Sequence, residues 1–185
     1  MTEAERVIAQ TRAWVEQAVV GLTLCPFAKA PLQKGQIRFA VCESADPEAL
    51  LAMLRDEMET LVRADPEAIE TTLLIHPHAL VDFGDFNDFL DVADAALDEA
   101  GLVGVLQIAS FHPDYCFAGS APDDLGNATN RSPYPTLQLL REASVERAVE
   151  AFPEAETIYE ANLRTLEVLG PEGWEALRAR IASAG

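Results

Sequence analysis

Val103-Gly104-Val105-Leu106-Gln107-Ile108-Ala109-Ser110, running into Phe111-His112-Pro113, decides the fold. Nearly every position is apolar, as in a strand covered on both faces. It leaves through His-Pro, where the proline keeps the histidine extended. Two earlier stretches read the same way. Thr71-Thr72-Leu73-Leu74-Ile75 is β-branched and apolar and ends at His76-Pro77, and Ile37-Arg38-Phe39-Ala40-Val41-Cys42 is a shorter strand. Helical patterns separate them. Asp46-Pro47 supplies a cap and first-turn proline for a helix over 47–63, with Leu50, Leu54, Met58 and Leu61 on one face. A second helix is predicted over 85–100, with Phe86, Leu90, Ala93 and Leu97 inward and Gly101 as its stop. Long helical connections favour parallel strands and right-handed crossovers.

Outward from this centre, Val7, Thr11, Trp14, Ala18 and Leu22 recur at helical spacing, so a first helix opens at Thr2 or Glu3 and ends near Pro26. Residues 112–133 have no period, and a loop of that length is uncommon unless it is functional or disordered. Ser132-Pro133 reads as another cap, and helices are predicted over 133–142, 144–152, 154–169 and 172–183, punctuated by Pro153 and Gly170-Pro171. The expected architecture is one α/β domain over 1–185. It has a small, mainly parallel sheet of three or more strands flanked by helices, and a helical C-terminal third.

Composition narrows the function. The chain has 185 residues, enough to bury a core without disulfides. Its net charge of -18 repels polyanions, and its 13 Lys and Arg are scattered rather than gathered in the basic stripe a nucleic-acid binder needs. No apolar run reaches membrane-spanning length, so neither nucleic acid nor membrane is an expected partner. Acids near the N-terminus, where a signal peptide carries bases, point to a cytoplasmic protein. Three cysteines without a CxxC pair fit reduced thiols. No Gly-rich dinucleotide or P-loop pattern is present, so a cofactor is left open, as is the oligomeric state.

In an open parallel sheet, ligands bind beyond the carboxyl ends of the strands. Those ends here carry Cys42-Glu43, His76-Pro77 and His112-Pro113, so His76 and His112 converge on one edge. They serve either as general acid or base, or simply bind nearby loop backbone. Cys25 is either a small hydrophobe in a turn or a nucleophile, the latter requiring a nearby cation to lower its pKa. Asn130, Arg131 and Ser132 at a predicted helix start suit an anion, with Arg141 and Lys29 as further cations and Asp114 and Tyr115 in the adjoining loop. The alternative is ordinary capping and ion pairing. Metal binding has two clusters to draw on, His112 with Asp114 and Cys116, and His76 with His78, but neither has a zinc-motif spacing. The acidic row Asp88, Asp91, Asp94 and Asp98 reads as a solvated helix face.

Several strings coincide in order: Gly21-Leu22-Thr23-Leu24-Cys25-Pro26-Phe27-Ala28, Leu74-Ile75-His76-Pro77, Asn87-Asp88-Phe89-Leu90, Ser110-Phe111-His112-Pro113-Asp114-Tyr115 with Phe117-Ala118-Gly119, and Thr129-Asn130-Arg131-Ser132-Pro133-Tyr134-Pro135 leading to Leu139-Leu140-Arg141-Glu142. Together they resemble a bacterial family called domain of unknown function 1415, over nearly the whole chain. The resemblance implies a shared fold and brings no activity. Cys42 and His78 lie outside its strings.

The leading expectation is a small-molecule enzyme acting on an anionic substrate. Cys25, His112 and His76 are its candidate catalytic residues, and Asn130, Arg131, Arg141, Tyr115 and Asp114 its candidate binding residues. A non-catalytic ligand-binding or protein-interaction module and a metal-binding protein are the alternatives.

Overall fold

The computed structural model of the chain describes residues 1–152, 154 and 156–185. Helix α1 (Glu3–Trp14) opens with a reciprocal cap: the Thr2 side chain accepts from the Glu5 amide, and the Glu5 carboxylate accepts from the Thr2 amide. It widens into a π-helical stretch at Val15–Val20, and the short helix α2 (Lys29–Gln33) follows. Strand β1 (Ile37–Val41) leads to α3 (Pro47–Arg63), capped by the Asp46 side chain on the Glu48 amide. Leu50, Leu54, Met58 and Leu61 are buried along α3, on the face their spacing predicts. Next come β2 (Thr71–Ile75), α4 (Phe83–Glu99) and β3 (Leu106–Phe111). Asp88, Asp91, Asp94 and Asp98 all lie exposed along α4.

The sheet corrects one expectation. A fourth strand, β4 (Thr136–Arg141), occupies residues predicted as helix, and the strand order is β1-β2-β4-β3. Only β1 and β2 pair in parallel; β4 runs antiparallel to both β2 and β3. The sheet is therefore mixed and mostly antiparallel. Leu, Gln and Arg are good helix formers, so Thr136-Leu137-Gln138-Leu139-Leu140-Arg141 carries a helical propensity of its own. Tertiary pairing overrides it. Leu137 and Leu139 are fully buried on one face of the sheet, and the strand fills a gap with unmatched backbone on both sides. Pro133 and Pro135 also keep the preceding backbone extended. Ser132 caps no helix; its hydroxyl donates to the Tyr134 carbonyl.

The three strands legible in the sequence still point the same way, because β3 and β2 are each antiparallel to β4. Their carboxyl ends share one edge with the start of β4. One face of the sheet packs on α3 and α4 through Leu74, Leu106, Leu137, Leu139 and Phe86. The other packs on α1 and on α6 (Glu156–Ala182) through Leu73, Trp14, Leu166, Trp174 and Leu177. Between β4 and α6 lies α5 (Glu142–Ala151). Helix α6 bends at Gly170, whose φ of 69° and following Pro171 interrupt the helix where the sequence punctuation falls. The break expected at Pro153 lies outside the described residues.

Candidate functional site

The shared carboxyl edge is organised around segment 130–135, which crosses it to begin β4. Its two ends are pinned by the backbone of the two histidines. The His112 amide donates to the Asn130 carbonyl at 3.1 Å, and the His76 amide donates to the Pro135 carbonyl at 3.0 Å. Both imidazoles turn to the α4 side, where Phe86 stands between them. Its ring centroid lies 5.8 Å from His76 and 5.0 Å from His112. Phe83 packs 5.3 Å from His112 and 5.2 Å from Tyr115.

Both imidazoles are fully buried, and three of their four nitrogens bind backbone. His76 Nδ1 lies 2.9 Å from the Ala79 carbonyl, so it carries the proton. His112 Nδ1 accepts the Asp114 amide at 3.0 Å, which leaves Nε2–H to donate to the Leu80 carbonyl at 3.2 Å. The fourth nitrogen, Nε2 of His76, is buried with no partner among the described residues. Burial pushes the His76 pKa down to about 4, against a smaller upward pull from the Ala79 carbonyl. Burial also lowers that of His112, opposed by the Leu80 carbonyl and by Asp114 and Asp82. Both rings are therefore neutral near pH 7. They hold down the turn between β2 and α4, where Leu80 sits at φ 56°. That conformation is sterically disfavoured for leucine, at a cost of about 1–3 kcal/mol.

Cys25 is elsewhere. It follows the π-helical stretch, next to Leu24, whose carbonyl accepts from Asn162 of α6 at 2.9 Å. Phe27 stacks edge-on against Phe152, and Leu24 belongs to the packing cluster of α1 and α6. Burial raises the Cys25 thiol above its ordinary pKa, outweighing the backbone amides of Phe27 and Ala28, so it is protonated at neutral pH. The structure brings His76 and His112 together and leaves Cys25 on the opposite face of the sheet.

The cations expected to grip an anion do not gather at the histidine pair. Arg141 sits at the other end of β4, where Nη2 donates to the carbonyls of Leu61, Ala64 and Ile69, tying down the C-terminal end of α3. Lys29 is exposed at the start of α2. Asn130 donates to the Ser110 carbonyl and accepts from Thr129, which fastens segment 130–135 to β3. Arg131 donates from Nε to the Tyr115 carbonyl and from Nη2 to the Pro122 carbonyl, stapling the long loop. No carboxylate pairs with it among the described residues, although the chain has 31 Asp and Glu. Tyr115 stacks between Phe83 and Phe117, and the Asp114 side chain is exposed.

The loop is ordered by a residue the sequence reading passed over as a site. Asn127 is fully buried, accepts from the Phe117 amide and the Ser120 hydroxyl, and donates to the Ala121 carbonyl. Cys116 Sγ lies 3.5 Å from Ser120 Oγ in the same network. His78 is exposed and lies 3.3 Å from Glu3, away from His76. Among the described residues no three His, Cys, Asp or Glu side chains converge as a metal site would require.

On the α1 and α6 side of segment 130–135 there is a groove of about 300 Å³. Its wall includes Arg131 and Tyr134 of the segment, Trp14 and Gln10 of α1, and Trp174 and Arg178 of α6. These are the chain's only two tryptophans. Gln10 ties the wall together: its Oε1 accepts from the Tyr134 hydroxyl in a short bond, and its Nε2 donates to the Ala182 carbonyl at 2.7 Å. The Trp174 indole N–H is buried without an acceptor among the described residues. Arg178 pairs with Glu175 at 3.4 Å, with its side chain half exposed. Periodicity marks Trp14 as a packing residue, and both tryptophans do pack. The signal that they also border a groove is their rarity combined with two cations, which only the fold brings together.

The family described as protein of unknown function (DUF1415) matches residues 6–176. The chain belongs to this family. The match spans every element from α1 into the last part of α6, and so includes the histidine pair, segment 130–135 and Trp174, while Arg178 lies just past it. No curated protein and no solved structure matches the chain. Among the described residues no helix is long and apolar enough to cross a membrane.

Proposed function

We propose that this chain is a ligand-binding protein whose occupant is a small anionic molecule, held in the groove between α1, segment 130–135 and the last part of α6. The observation that carries the reading is the gathering of Arg131, Arg178, Trp14, Trp174 and Tyr134 on one groove, in a chain with 13 basic residues against 31 acidic ones. An anion site in so acidic a protein must concentrate its few cations locally. Ligand sites combine apolar walls with a few polar groups that fix orientation, and this groove has both. Catalysis by a Cys–His pair has less support, because the protonated thiol and the neutral imidazoles lie on opposite faces of the sheet.

Both tryptophans border the groove, so their emission is a direct probe. Titrating the protein with aromatic carboxylates, aliphatic dicarboxylates and phosphate monoesters should give a saturable change with at least one class. Arg178→Ala should then weaken binding at least tenfold, about 1.4 kcal/mol. If no compound of the three classes binds more tightly than about 1 mM, the groove is not an anion site and the reading fails.

A further inference from the structure

We propose that His76 and His112 form an acid-released latch that sets the position of segment 130–135 and so opens or closes the groove beside it. The purpose assigned to the latch rests on the groove being the ligand site; the latch itself is argued from the histidines alone.

The two rings hold two pieces of chain, the turn at residues 79–80 and the loop at Asp114. His76 holds the Ala79 carbonyl, and His112 holds the Leu80 carbonyl and the Asp114 amide. Through their own backbone amides the same residues fix Pro135 and Asn130, the two ends of the groove segment. Protonation spares the bonds to the Ala79 and Leu80 carbonyls, which a charged ring also donates, and acts at the other two nitrogens. A proton added at His112 Nδ1 meets the Asp114 amide head-on, donor against donor, and that bond is lost. A proton added at His76 Nε2 places a charge where the atom is buried and no acceptor waits. Either event favours a state in which the ring reaches water. The turn it restrains is already poised to move, since Leu80 is held at φ 56°.

The charged groups facing the pair are few. Asp114 on the adjoining loop and Asp82 at the start of α4 act on His112 and favour its protonation. His76 faces His112, which opposes its protonation, and its other α4 neighbour is the uncharged ring of Phe86. His112 therefore takes the first proton and His76 the second, below the ordinary histidine range. The sequence pI of about 4.3 means that acidification through this window reduces the chain's self-repulsion. Release of the latch is therefore separable from unfolding by net charge.

The test needs no ligand, so its failure is distinct from failure of the binding reading. Amide exchange, corrected for intrinsic rates, is followed from pH 7 to pH 4 alongside tryptophan emission and far-UV circular dichroism. The latch predicts at least tenfold faster exchange in 77–82 and 113–117, with a shift in tryptophan emission and unchanged helical signal. His112→Gln cannot take the proton and should flatten the first part of that response. Should that variant not fold, the Cε1 proton resonances of the wild-type histidines supply the check, since their titration midpoints must match the exchange transition. Three results overturn the proposal: loss of the helical signal at the same pH in one step, faster exchange without any change in emission, or imidazoles that titrate while the loops stay protected.

Discussion

The two sides of segment 130–135 differ in how they treat polar groups. On the α4 side, two histidines are shut away from water among Phe83, Phe86 and Tyr115, and backbone consumes most of their capacity. On the α1 and α6 side, arginine, tyrosine and tryptophan border an open groove, and Arg131 has no carboxylate partner among the described residues. The lesson is that convergence at the strand ends does not by itself make a reactive site. The histidines meet as the topology predicts, yet they are spent on holding loops. Across the segment, Arg131, Tyr134 and Arg178 also make bonds within the chain, but they border an open groove.

The contrast can be broken most forcefully at Phe86, the fully buried ring between the two imidazoles. Phe86→Ala should cost about 3–5 kcal/mol, by loss of transfer energy plus a cavity. Urea denaturation measures this, and a cost below about 1 kcal/mol would show the histidine side to be loosely packed.

Acid should produce the next largest effect. His76 has a folded pKa near 4 against an ordinary value of 6.5, so the unfolded chain binds its proton first. Its share of stability is complete above about pH 6.5 and declines as the pH falls, reaching a floor once pH passes below the folded value. The loss is on the order of 3 kcal/mol, with a further loss in the same direction from His112. Denaturation midpoints at pH 7, 5.5 and 4.5, compared with His76→Gln, check both sign and window.

Arg141 offers a third lever, remote from both sides. Arg141→Met removes the donor shared by three carbonyls near the end of α3, and should cost about 2 kcal/mol while leaving groove binding unchanged. The smallest effect is expected at Arg178. Its pair with Glu175 is exposed, so Arg178→Ala should shift stability by less than about 0.5 kcal/mol. A larger shift would make Arg178 part of the scaffold rather than of the binding wall.

Much of the frame was legible because it rests on local signals. Asp46-Pro47 fixed the start of α3, the spacing of Leu50, Leu54, Met58 and Leu61 fixed its inner face, and the apolar runs marked β1, β2 and β3. The identity of β4 was hidden because six residues of Leu, Gln, Thr and Arg carry no decisive period, and a strand that pairs on both sides is defined by its neighbours. Losing β4 also lost the sheet direction and turned Ser132-Pro133 into a false helix start. The histidine pair was readable from the His-Pro steps, because three strands do end at one edge. The separation of Cys25 from that pair was not, since it depends on which face of the sheet the turn after α1 packs against. Trp14 was legible as a packing residue, but its meeting with Trp174 beside Arg178 requires α6 to cross back over α1.

The placement of β4 has a consequence for how the chain acquires its structure. Strands β2 and β3 never touch; each waits for residues 136–141, which come last in order. A nascent polypeptide that has emerged as far as Phe111 can zip β1 to β2, but β3 remains an unpaired ribbon with two open sides. Pairings across 60 to 70 positions, such as Thr71 with Leu140, are slow to form because loop closure precedes any reward. Until β4 slides between its partners, the apolar edge of β3 is the part of the molecule most exposed to mispairing with another chain.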